Sequence, residues 1–99
     1  MTEYKKVEEP KLVKVEKIGQ VFEGKFISLE QSSKHSDGFA LKYVDTEDVL
    51  SVVFINKQAK DLFVNGGITL NQDFKLTFEK EQDNASKTYK YRVFSLMYR

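Results

Sequence analysis

The chain has 99 residues, 40% of them apolar, with 16 Lys and Arg against 15 Asp and Glu, a net charge of +1 and no cysteine. That length closes one hydrophobic core rather than two. The missing thiols exclude disulfides and thiolate metal sites and fit a reducing, cytoplasmic compartment. No stretch approaches the roughly 18 apolar residues of a membrane helix, and Met1–Glu9 alternates charge where a signal peptide would be apolar.

Residues 1–17 read as a charged N-terminal extension: Pro10 interrupts regular structure, and Leu12, Val13 and Val15 offer little to bury. A loose tail is expected there, with room for a short strand near its end. A single domain follows over residues 18–99. From Ile18 to Leu29 the pattern is β. Phe22 and Phe26 share one face with Gly24 between them, and the apolar set then changes phase to Ile27 and Leu29. A glycine within a strand, followed by a phase change, indicates a bulge or bend. Such a bend lets one long strand serve both halves of a barrel.

A polar loop over 31–38 leads into a second strand, Phe39–Val44. After the acidic turn Asp45–Asp48, the β-branched and aromatic run Val49–Ile55 reads as a third strand buried on both faces. Asn56 is placed to cap a helix of about two turns, with Ala59, Leu62 and Phe63 on one face and Asn65-Gly66-Gly67 ending it. Phe74–Lys80 alternates apolar and polar as a fourth strand. Thr88–Met97 is the fifth, with Tyr89, Tyr91, Val93, Ser95 and Met97 on one side and Lys90, Arg92, Phe94, Leu96 and Tyr98 on the other. The expected fold is therefore all-β: a five-stranded antiparallel OB-type barrel with one short helix between strands three and four.

Residues 18–94 resemble a family of small OB-fold single-stranded DNA-binding proteins encoded by bacteriophages of Gram-positive hosts. The resemblance rests on Gly19–Ile27, on Val52-Val53-Phe54, on Asp73–Glu79 and on Tyr89–Val93. It implies sequence-independent binding of single-stranded DNA in phage replication or recombination, in the host cytoplasm, with no cofactor and no turnover. It leaves room for replication or recombination proteins as partners and for a homodimer or higher oligomer. Many such proteins recruit partners through a flexible acidic C-terminal tail. The last strand here runs directly to Tyr98-Arg99, which leaves open whether such a tail is lacking or has been lost, and with it recruitment of that kind.

The residues themselves offer no catalytic or metal site. His35 is the only histidine, so neither a catalytic triad nor a His-rich metal site can be assembled around it, and an enzyme is not expected. Asp45, Glu47 and Asp48 lack the spacing of a calcium loop. Nucleic-acid binding has a physical route, because unstacked bases lie on aromatic rings while Lys and Arg follow the phosphates. OB folds use the face of strands two and three and the loops joining strands one to two and four to five. The candidate residues are therefore Lys34 and His35 in the first loop, Lys42, Tyr43 and Phe54 on the strands, Lys80 and Lys87 around the second loop, and Tyr89, Tyr91 and Arg92 beyond it. Lys42 and Tyr43, as neighbours on one strand, should face opposite ways, and Phe54 is open to either barrel or groove. From Lys87 onward the chain has basic residues and no acidic ones, a local asymmetry hidden by the near-neutral total. The rival expectation is a protein-interaction module, an OB barrel whose groove or edge receives a partner peptide without nucleic acid; near-neutral charge and the acidic turn suit it.

Overall fold

The computed structural model describes residues 9–31, 38–83, 85–86 and 89–99. Six strands and one helix follow in the order β1 (Lys11–Val13), β2 (Val21–Gln31), β3 (Gly38–Asp45), β4 (Leu50–Asn56), α1 (Lys57–Gly66), β5 (Asp73–Asp83) and β6 (Lys90–Tyr98). They form one sheet of order β1-β4-β3-β2-β5-β6. The fold is all-β, but two details differ from expectation: there are six strands rather than five, and the sheet does not close into a barrel. The extra strand is β1, which pairs parallel to β4 through Lys11–Val13 against Ser51–Val53. The helix follows the third of the five longer strands, now between β4 and β5.

The bend around Gly24 organises the sheet. β2 pairs with β5 over Val21–Lys25 and with β3 over Gly24–Gln31, so Gly24 and Lys25 belong to both ladders. A Cβ at Gly24 would run into the Val44 carbonyl, which explains why glycine occupies the pivot. Ile27 is then the extra residue of a bulge, and this produces the phase change. A second bulge at Glu79 separates the packed part of the β5–β6 ribbon from an arm, Lys80–Asp83 against Lys90–Val93.

Inward residues of every longer strand and one face of α1 fill the core: Phe22, Leu41, Tyr43, Val53, Ile55, Ala59, Phe63, Phe74, Leu76, Phe78 and Phe94. Phe63 sits 5.2 Å edge-on to Phe74 and stacks on Phe26 at 5.6 Å, which seats the helix. α1 has ten residues, closer to three turns than two. Its amino end is capped by Asn56, whose Oδ1 accepts from the Ala59 N–H at 3.0 Å. At the other end Gly67 adopts φ 63°, and the N–H groups of Gly67 and Ile68 donate to the carbonyls of Val64 and Phe63. That pattern is a Schellman stop, in which glycine takes the left-handed position.

Side-chain amides seal the seam that backbone pairing leaves open. Asn56 Nδ2 donates to the Arg92 carbonyl at 2.7 Å. Gln58 Nε2 donates to the Phe94 carbonyl at 3.0 Å, while its Oε1 accepts from the Phe94 N–H at 2.8 Å. Gln58 thus pairs with β6 as a neighbouring strand would. α1 lies along β6, while β1 is the outer strand beyond β4; at three residues it leaves only a short edge, which limits edge-to-edge association.

Candidate nucleic-acid interface

Strands β3 and β4 alternate between core and outside. Leu41, Tyr43, Ser51, Val53 and Ile55 point in, while the register pairs Ala40 with Phe54, Lys42 with Val52 and Val44 with Leu50 on the outer face. β4 is therefore not buried on both faces, as its apolar run had suggested. β1 adds Leu12 beside Val52. Leu12 is 53% exposed and Phe54 50% exposed, so no described part of the chain covers this apolar face. Phe54 lies toward the Asn56 end of this face as a ring available to a flat ligand.

Lys42 and Tyr43 do face opposite ways, and the consequences differ. Lys42 stands on the outer face, its ammonium 3.1 Å from Glu30. Tyr43 is a core residue, 3% exposed and 5.5 Å edge-on to Phe74, so it offers no ring to a base. Its hydroxyl is pushed up to about 12, first by burial and then by the charge of Asp45, against a smaller opposing effect from the Ser51 hydrogen bond.

The β5–β6 arm corrects the reading of the basic C-terminal end. On one side of the ribbon Arg92 faces Glu81 and Lys90 faces Asp83; on the other Lys80 faces Val93 and Tyr91 faces Gln82. Each cation of the first pair of positions meets an acid contributed by the partner strand. Such cross-strand opposition favours the ribbon and lowers the local positive potential. Tyr91 is half-buried and Tyr89 is 63% exposed at the start of β6. Lys34, His35 and Lys87 lie outside the described residues.

One end of the sheet gathers more than the strands alone suggested. Gly38 pairs with Asn56, and Asn56 binds Arg92, so the start of β3, the helix and the arm meet there. Two cations lie over phenyl rings at this end: Lys60 Nζ is 5.3 Å from the centroid of Phe39, and Arg92 Cζ is 5.9 Å from that of Phe78. Leu12, Lys57 and Lys60 are surface features that sequence reasoning passed over, while Phe39, opposite Ile55, packs partly buried against the core. A signal existed for the lysines, because the first turn of α1 contains no acid. Helix amino termini favour acids there.

The opposite end contains a cleft of about 440 Å³, walled by Phe74, Met97 and Tyr98 and rimmed by charged groups including Asp45, Asp48, Lys75 and Arg99. Its acidic turn is largely engaged with itself. Asp45 Oδ1 accepts from the N–H groups of Glu47 at 2.8 Å and Val49 at 2.9 Å. The Val49 hydrogen bond is the main cause holding the Asp45 carboxyl below its usual range. Lys25 is likewise held by Asp73 at 3.1 Å.

Among the described residues no helix is long and apolar enough to cross a membrane. Comparison of the chain with protein-family models, with curated proteins and with solved structures gave no match.

Proposed function

We propose that this chain is a sequence-independent single-stranded DNA-binding protein of the bacteriophage OB-fold type, acting in replication or recombination without turnover. In this reading β2–β6 are the five strands of an OB arrangement, opened at the seam between β4 and β6, with β1 added along β4. The observation that carries it is Phe54, half exposed on the uncovered β3–β4 face, where OB folds take their ligands. Bases stack on Phe54, and Lys42, Lys80 and Arg92 contribute charge beside the strand. Of the rings counted as candidates from the sequence, the proposal keeps Phe54, which had been open to barrel or groove, and drops Tyr43, which is buried.

A second reading has its own support. Leu12, Leu50 and Val52 make the same face aliphatic as well as aromatic, and neighbouring charges are largely opposed by partners. Such a face also suits a protein partner, since interface cores are depleted in charge. Titration of tyrosine fluorescence with oligo-dT and with duplex DNA at two salt concentrations separates the readings. The DNA reading expects a preference for oligo-dT that weakens as salt rises. No binding at micromolar protein, or binding indifferent to salt, would leave the protein-partner reading standing.

A further inference from the structure

Resting on that reading, we infer that Glu30 reads the base stacked on Phe54 and favours one with an exocyclic amino group, cytosine over thymine. The register sets three side chains abreast on the outer face: Phe54 on β4, Ala40 on β3 and Glu30 on β2. Leu29 packs against the core, so the two-residue period of β2 turns Ser28 and Glu30 outward. Neighbouring strands hold opposed residues about 5 Å apart, which puts Phe54 and Glu30 roughly 10 Å apart with Ala40 as a low floor between them. A base resting on Phe54 above that floor turns its rim toward the Glu30 carboxylate.

The chemistry at that rim is an acceptor beside a donor. Glu30 Oε2 lies 3.1 Å from Lys42 Nζ, and the two side chains are 58% and 36% exposed. An ion pair that open to water adds little to stability, so it rearranges around a ligand at small cost. Cytosine answers both groups: its 4-amino group donates to the carboxylate, while its N3 and O2 accept from the ammonium. Thymine is of similar size but carries a carbonyl oxygen at position 4, which it would set against the carboxylate. Like charge turns phosphate away from Glu30, so the base and not the backbone faces β2. The preference acts at this one position, and the rest of the strand is bound without regard to sequence.

The test is titration of the full chain with oligo-dC and oligo-dT of equal length, at a mildly alkaline pH where cytosine is neutral. Three variants accompany it: Glu30→Gln, Phe54→Ala and, as an acid in the turn after β3, Glu47→Gln. The parent should bind oligo-dC several-fold more tightly than oligo-dT, and Glu47→Gln should keep that ratio. Glu30→Gln should bring the ratio close to one, because an amide offers a donor to thymine as readily as an acceptor to cytosine. Release of Lys42 raises affinity for both oligonucleotides, so the ratio is the measure. Phe54→Ala should weaken both and lose the preference. A parent that binds both equally or favours oligo-dT overturns the inference and leaves the DNA reading standing, as does a preference that survives Glu30→Gln or Phe54→Ala. If neither oligonucleotide binds, both fail.

Discussion

The β3–β4 face and the β5–β6 arm are both two-stranded antiparallel surfaces bearing aromatic and basic residues, yet they differ in what opposes each residue. On the arm, Arg92 and Lys90 meet Glu81 and Asp83 from the neighbouring strand. On the face, Phe54 meets Ala40, and Leu50 meets Val44, with nothing above them among the described residues. A run of like charges along one strand says little about potential until the partner strand is known, because cross-strand neighbours lie only about 5 Å away. An apolar run says little about burial for the same reason. The basic cluster thereby loses weight as a ligand site, and the apparently buried strand gains it.

The largest effect expected is at the pivot that sets the two ribbons apart. Gly24→Ala forces β2 and β3 to separate at Val44 and should cost stability at the upper end of about 1–3 kcal/mol or more, read from urea denaturation. A Gly24→Ala protein of parental stability would mean that the bend is not held by this close approach.

Tyr43 tests which side of the face is inside. Its folded-state value of about 12 lies above the ordinary tyrosine value of 10.0, so the neutral hydroxyl is favoured by folding. Its stabilisation is complete below pH 10 and is lost as pH rises toward 12, amounting to about 2–3 kcal/mol. Tyr43→Phe should remove that part of the alkaline decline, seen by comparing urea midpoints of the two proteins at pH 9 and above pH 11. Parallel declines would place Tyr43 in water.

Binding should separate the two ribbons directly. Phe54→Ala is expected to weaken oligo-dT binding by about 1–3 kcal/mol, the range for one stacked base, and Tyr91→Ala by less. An equal or reversed ranking returns the arm to first place.

The smallest effect concerns the opposing acids. Glu81→Gln with Asp83→Asn should strengthen oligo-dT binding modestly and steepen its salt dependence, since Arg92 and Lys90 are then no longer opposed. An unchanged slope would show that the arm lies off the strand's path.

Much of the architecture was legible in the residues because it depends on neighbours in sequence. The Gly24 bend follows from a glycine and a change of apolar phase, the helix start from Asn56 and its stop from Gly66-Gly67, and the inward set Phe74, Leu76 and Phe78 from strict alternation. Opposite facing of Lys42 and Tyr43 follows from the same two-residue period. β1 was less legible, since three residues beside a proline carry little periodic signal.

What the tertiary structure alone decided concerns groups far apart in the chain. That the sheet stays open, sealed by Asn56 and Gln58 reaching β6, depends on contacts 36 residues away in sequence. Tertiary packing likewise decides the fate of three candidates: Tyr43 is drawn inward against Phe74, Phe54 is left outside because no described layer covers it, and Arg92 is set opposite Glu81 by the register of the ribbon. Local pattern specifies which side of a strand a residue takes. Only the packed fold specifies which side is dry, and which charges have company.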